Sequence, residues 1–567
     1  MAINIPKRVV IKYLFDSIKP FNNFTVILAL KEYARTNTTQ MNFKFIHTIA
    51  LIFSLLTGST QDFNGYALYN SQNSSTAYLI DKLGNIAHSW SCNVNGNYAV
   101  LLKENGNIVR GGVYNNNQLN GAAIGGMIQE YDPNGNVVWD FVYSTSSYCQ
   151  HHDIEIMPNG NVLFIAWEVK STAELTAAGY DGASSSKWPT RIVEIQPDGF
   201  GSASVIWEWR IWDHLIQDFD SSKDNYGVVA DHPELMDINA VDAPSGGPGG
   251  NSGDWFHVNG ISYNESLDQI VFTARHASEF FIIDHSTTAS EAATHTGGNS
   301  GQGGDFIYRW GNPTNYGASG TQMVPSAVHD PRWIKDDGRE NGGFIQIFNN
   351  EGDNGNSTVD AIETPRDGYN YTITPGSAFG PASYTWRHDC IDNASGQSAH
   401  DKLSNGNTFV NLSQEYMYEV DQSGSVIWQY NAGPAKAFRY ECTHPGVQIL
   451  MGVDCNCDAG GSAYIDNCGD CVGGNTGLTE CSGTVIEAIS PSSVALFPNP
   501  STGVFEFRGL GTMSDYSIEV TDVFGQSIIR TSNFSSIDLS NEDAGVYFVA
   551  VYIADINPIV KKVSILK

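Results

Sequence analysis

Between Trp255 and Phe280 the chain reads WFHVNGISYNESLDQIVFTARHASEF, in which a histidine, an asparagine and an arginine interrupt apolar, alternating segments. Successive side chains of a strand point to opposite faces, so His257 and Asn259 are expected on one side, and the return segment QIVFTAR carries Arg275 back toward them. An imidazole, a carboxamide and a guanidinium held together are donors suited to an anionic group with several oxygens. A surface hairpin would use the same residues as ordinary hydrogen-bonding struts, so the rest of the chain has to decide between the two readings.

A histidine opens a strand-like segment three more times: HHDIEIMPNGNVLFIAWE from His151, HDPRWIKDDGRENGGFIQIF from His329 and HDKLSNGNTFVNLS from His400. Neutral imidazole is a competent nucleophile and proton carrier near neutral pH. The elements that position these residues are legible in a second, alternating pattern. AYLIDKLGNIAHSW, IQEYDPNGNVVWD, RIVEIQPDGFGSASVIWEW and YMYEVDQSGSVIWQY each combine two alternating apolar runs with a Gly-containing bend and a closing tryptophan. Each predicts a β-hairpin. The tripeptide NGN, beginning at Asn95, Asn105, Asn134, Asn159, Asn354 and Asn405, marks further turns.

Hairpin repetition over residues 62–450, with hardly any helical periodicity, predicts an all-β fold and a β-propeller of roughly six blades. Radial repetition protects sheet edges, and the innermost strand of each blade lines a central channel. Histidines that open those strands are then expected to ring one mouth of it. His400 and Asp401 are read as struts between strands, and Trp90, Trp139, Trp207 and Trp428 as blade packing. AELTAAGYDGASSSKWP and APSGGPGGNSGD are read as loop insertions.

The 567 residues carry 30 Lys plus Arg against 61 Asp plus Glu, a net charge of −31, and show no basic patch. Such a balance argues against nucleic acid and anionic membrane surfaces as partners. Residues 1–60 read as an N-terminal extension and signal peptide, with translation expected to start at Met41: MNFKFIHTIALIFSLLTGSTQDF has the lysine, short apolar run and small residues of an export signal. No later segment reaches the ~18 apolar residues of a membrane span. A secreted or surface protein is expected, so the nine cysteines point to disulfides, with an odd one over. Five of them crowd a linker at 454–482, where Asp454, Asn456 and Asp458 place oxygen ligands at alternate positions, a pattern compatible with calcium.

HHDIEIMPNGN, HVNG followed by FTAR, and VHDPRW followed by IFNNEGDNGN resemble the bacterial arylsulfate sulfotransferase family, six-bladed propellers with a histidine-rich channel site. The resemblance implies that His329 is the nucleophile of a ping-pong sulfuryl transfer from a phenolic sulfate ester to a phenolic acceptor through a sulfohistidine. It also implies His257, Asn259 and Arg275, 18 positions after His257, as ligands of the sulfuryl oxygens, and His152 as the proton donor. His151 is the competitor for that last role; His152 is preferred because it precedes Asp153 as His329 precedes Asp330. Some members carry a closely spaced disulfide near the nucleophile, and no cysteine pair lies near His329. The chain shows no P-loop-like cradle, in keeping with a reaction that needs neither a nucleotide sulfate donor nor another cofactor. Over 494–567, LFPNPSTG, YSIEVTDVFGQSI and GVYFVAVYI resemble the type IX secretion sorting domain, a small β-sandwich, which implies that secretion machinery as a partner and later removal of the tail. The alternative function is a non-catalytic extracellular propeller that binds a glycan or a protein.

Overall fold

The computed structural model describes residues 65–71, 73–242 and 253–481, and in the C-terminal segment 495–497, 499, 501–508, 516–522, 526–532, 536–553 and 559–567. The expected signal peptide, most of the APSGGPGGNSGD insertion and the IEAISPSSV spacer lie outside the described residues.

Six four-stranded antiparallel sheets follow one another along residues 66–440. Four are built from consecutive strands, within 96–142, 148–210, 258–310 and 399–430, and the one within 328–389 has a small separate hairpin, Arg366–Asp367 with Asn370–Tyr371, between its third and fourth strands. The first combines Tyr66–Asn70, Thr76–Ile80 and Ile86–Ser91 with Ala437–Tyr440 from the far end of the region, in a register that pairs Tyr66 with Tyr440 and Tyr69 with Ala437. Neighbouring sheets touch through their leading strands: Gly96–Leu102 packs on Tyr148–Ile156, that strand on Val258–Asn264, and that one on Val328–Trp333.

The four tryptophan-ending segments are the third and fourth strands of their sheets. Local chemistry fixes their bends. Asp81, Asp132, Asp198 and Asp421 each accept two backbone N–H groups of their own turn on Oδ1, as Asp132 does from Asn134 and Asn136 at 2.8 Å each. Gly135 then takes φ 82°, which a residue with a Cβ adopts only at a cost. Trp90, Trp139 and Trp207 are buried as expected, while Trp428 is half-buried. Between the third and fourth sheets Leu163, Ile192 and Trp209 pack with Ile261, Phe272 and Phe281, each such side chain contributing about 1.5–3 kcal/mol on burial.

One insertion departs from the loop reading. Within AELTAAGYDGASSSKWP the structure has an α-helix, Thr172–Ala177, because Ser171 and Glu174 form a reciprocal capping box and Leu175 is buried. In the linker, Cys442–Cys457, Cys455–Cys471 and Cys468–Cys481 are disulfides, leaving Cys92, Cys149 and Cys390 as thiols. The odd count therefore resolves into three free cysteines, all belonging to the scattered group. The C-terminal segment forms a three-stranded and a four-stranded antiparallel sheet around Phe505, Ile518, Val549 and Val563. Among the described residues no helix is long and apolar enough to cross a membrane.

Candidate active site

His151, His152 and His329 stand in the leading strands of the third and fifth sheets and His257 directly before that of the fourth, each at a shared irregularity. In each, pairing to the second strand slips: between His151 and Ile154, between Val258 and Gly260, and between His329 and Arg332. His152 and His257 take φ 51° and Asp330 φ 47°. A non-glycine residue in that region costs about 1–3 kcal/mol, and such bulges re-aim side chains. Simple alternation therefore does not relate His257 to Asn259. His257 turns toward His152, at 4.7 Å between ring centres, while the buried Asn259 reaches the fifth sheet, donating from Nδ2 to Val328 O at 2.9 Å and accepting from Thr273 Oγ1 at 2.7 Å. One amide N–H of Asn259 remains beyond that strut. Gly260 permits the close approach of the two sheets, since a Cβ there would lie 2.4 Å from Pro331 Cδ.

The surroundings of His329 fix its tautomer. Its Nδ1 stands 2.7 Å from both Ala327 O and Asn350 Oδ1. The carbonyl only accepts, and Asn350 Nδ2 is donating to Ala394 O, so the imidazole proton sits on Nδ1. Nε2 accepts from the Gln397 N–H at 3.1 Å and carries the lone pair. Burial, reinforced by His257, Arg275 and Lys436, holds the ring at a pKa of about 3, so it is neutral across the physiological range.

His152 and His151 meet Nδ1 to Nδ1 at 2.7 Å, yet their outlooks differ. His151 stacks beneath Trp167 at 4.2 Å, whereas His152 faces His257 and the ring of Tyr98. Burial and the neighbouring His257 keep His152 well below its ordinary pKa. His257 has a different partner: its Nδ1 lies 2.6 Å from Asp254 Oδ2, and Asp254 Oδ1 accepts from Trp167 Nε1 at 2.9 Å. Burial works to raise the Asp254 carboxyl, but the adjoining His257 imidazole holds it below the usual carboxylate range. Arg275 follows directly, its N–H bonding His257 O at 3.1 Å and its Nη2 lying 3.5 Å from Ser395 O. His152, His257 and His329 are each 2% exposed, so only the half-buried Arg275 reaches outward among the five expected residues.

Beneath these rings lies a charged group that the sequence pattern did not single out. Lys436 Nζ bridges Asp153 Oδ2 at 2.7 Å and Asp330 Oδ1 at 2.8 Å, all three buried. Each aspartate directly follows a site histidine, so one ammonium ties the third and fifth sheets together below the cluster. His400 is a strut as expected, with Nε2 2.8 Å from Asp330 O and Nδ1 3.0 Å from Gln346 Oε1. Asp254, His276, Asn350, Gln397 and Lys436 were missed because isolated polar residues in unremarkable contexts carry no spacing signal. Asp254, Asn350 and His276, whose ring stacks on that of His257 at 4.9 Å, stood inside quoted segments, but nothing in their spacing marked them.

Residues 32–373 match the family described as arylsulfotransferase (ASST), which is more than half of the chain. The protein belongs to the arylsulfotransferase family. Residues 495–566 match the secretion system C-terminal sorting domain, so this arylsulfotransferase-family protein is destined for a secreted or cell-surface location through that export machinery. No curated protein matches. Solved structures similar to this family member include a protein of unknown function from Bacteroides caccae, with 10% identity, 66% of this chain and 98% of that chain covered, and TM-score 0.36. BamB from Moraxella catarrhalis has 11% identity, 68% and 80% coverage and TM-score 0.27. The periplasmic gluconolactonase PpgL of Pseudomonas aeruginosa has 11% identity, 88% and 99% coverage and TM-score 0.33.

Proposed function

We propose that the six sheets close into a six-bladed propeller over about residues 62–450, and that it transfers a sulfuryl group from a phenolic sulfate ester to a phenol through a sulfohistidine on His329, with no nucleotide donor. The observation that carries this reading is the pair of 2.7 Å contacts that hold the His329 proton on Nδ1 and leave a neutral Nε2 lone pair. That lone pair attacks sulfur, the S–O bond to the aryl group breaks, and the phenolate leaves with a proton. In the second half-reaction an acceptor phenol returns a proton, its oxygen attacks sulfur, and the S–N bond breaks. Charge spread over the sulfuryl oxygens meets Arg275 and the remaining N–H of Asn259. Ala327 O and Asn350 Oδ1 stabilise the Nδ1–H as the ring becomes cationic.

The proton moves through His257 rather than His152. His257 is held by Asp254 through its Nδ1 at 2.6 Å and turns its other nitrogen to the cluster, whereas burial and three neighbouring imidazoles disfavour a charge on His152, which then orients His257. The Gln397 N–H has to leave Nε2 before attack, so the 394–398 segment gives way to substrate. The signal peptide and the 494–567 tail are removed during export, leaving a chain that begins near Gln61, with 454–482 as a spacer.

Purified protein incubated with an aryl sulfate and no acceptor should gain one sulfuryl group by intact mass under alkaline conditions, released on adding a phenol. His329→Asn should gain none. An unlabelled wild type would favour the second reading, a binding propeller, which the near-complete burial of the three rings supports.

A further inference from the structure

A second set of ligand-type side chains meets where the chain leaving the third sheet packs on the fourth. The turn Ile211–His214 follows the strand Ala203–Arg210 and delivers His214. The connection from Glu279–Asp284 to Phe306–Trp310 delivers His295 and Asp305. His214 Nδ1 and His295 Nδ1 each lie 2.8 Å from the same oxygen, Asp305 Oδ1, with the two rings edge to face at 5.9 Å.

The hydrogen bonds of His214 fix its orientation. Its ring is fully buried, lies parallel to Trp209 at 5.7 Å, and has Nε2 2.9 Å from Ala292 O. A carbonyl only accepts, so Nε2 bears the proton. Nδ1 therefore faces the carboxylate oxygen at 2.8 Å, beside a second imidazole nitrogen at the same oxygen, so two nitrogens and one carboxylate oxygen converge on one place. A backbone carbonyl that holds the far N–H is also how metal-ligating histidines are commonly oriented.

Two further features suit an ion. Gly304 makes the arrangement possible, since a Cβ there would fall 2.1 Å from Ala292 O and 2.6 Å from His214 Nε2. The His295 side chain is 60% exposed and lines, with Trp212, Asp213, Tyr226 and His232, a cleft of about 630 Å³, so an ion and its remaining ligands have access from solvent.

We propose that His214, His295 and Asp305 bind one divalent first-row transition cation through two imidazole nitrogens and one carboxylate oxygen, with its open positions facing the cleft. That donor set suits zinc, cobalt, manganese or iron(II) over calcium or magnesium. The three ligand atoms lie within 4.8 Å of one another. A tetrahedral ion with bonds near 2.0–2.1 Å separates its ligands by about 3.3 Å, so each imidazole nitrogen has to move about half an ångström away from Asp305 Oδ1 to admit it. The site lies outside the histidine cluster around His329 and shares no residue with it.

Tag-free full-length protein, stripped with a chelator and dialysed, is titrated with Co²⁺ near neutral pH, followed by visible absorption and calorimetry. The expected result is one equivalent bound, a d–d band in the visible, displacement by Zn²⁺ and a higher melting temperature with metal. His295→Ala, at an exposed position that leaves the core intact, should weaken binding by at least about tenfold, while His329→Asn should bind as the wild type does. Asp305→Asn should also lose the band. If the wild type binds no cobalt, or binds it equally with His295→Ala, the three side chains only hydrogen-bond one another and the proposal fails.

Discussion

The linker and the histidine cluster are both dense in polar residues, but they satisfy them in opposite ways. Asp454 accepts backbone N–H groups from Asn456, Asp458 and Ala463, and Asp466 accepts from Cys468, Asp470 and Cys481, so their partners come from the same short stretch. This is the device already used at Asp81 and Asp132 in the hairpins. The alternating Asp454, Asn456 and Asp458, expected as calcium ligands, thus act first as turn formers. Asp466 stands beside Cys468 and Cys481, but those sulfurs are joined at 2.04 Å and offer no thiolates. In the cluster, by contrast, His329 is held by Asn350 and by Gln397, 68 positions away, and Lys436 reaches Asp153 across 283. Local satisfaction gives a turn, whereas satisfaction across sheets fixes side chains from distant parts of the chain against one another.

The largest way to break the comparison is His329→Asn, which should abolish both half-reactions while the melting temperature stays near that of the wild type. Measurable sulfuryl transfer at the wild-type rate would make the ring structural. Next comes Lys436→Met, which leaves two buried carboxylates facing each other. Removing one partner of such a group costs about 3–5 kcal/mol, to be read from urea unfolding. A smaller loss would mean that the ammonium does not hold the two sheets together. Arg275→Ala should slow transfer about 10²- to 10³-fold with little change in stability, as expected for one transition-state donor.

The pH dependence sharpens the same contrast. His151 and His329, held at about 3, and His276 and His400, at about 4, are kept neutral mainly by burial. The unfolded chain binds protons on these rings below about pH 6.5 and the folded chain does not, so stability is full above that pH and falls as pH drops toward 4. Each ring contributes about 1.4 kcal/mol per pH unit in that window. Melting temperatures measured from pH 7.5 down to 4.5 should decline accordingly, and a flat profile would show that the rings accept protons in place. The smallest effect belongs to the linker. Calcium chelation should barely change proteolysis between Asp454 and Cys481, whereas a thiol reductant should accelerate it, with sulfuryl transfer unaffected by either.

The sequence by itself determined what depends on neighbours along the chain. Period-two alternation and Asp-Gly or Asn-Gly bends specify hairpins such as Gly126–Tyr131 with Val137–Val142, and the motifs around His257 and His329 carried the family resemblance. Tertiary structure alone decided the rest. The bulges that turn His152 and His257 toward each other interrupt the alternation from which their faces would be read. The strand Ala437–Tyr440 pairs with Tyr66–Asn70 across the whole region, a pairing that no local pattern announces. Asp254, Asn350, Gln397 and Lys436 matter through hydrogen bonds and charges whose strength depends on distance in space and on exclusion of water, and neither quantity is written in residue spacing.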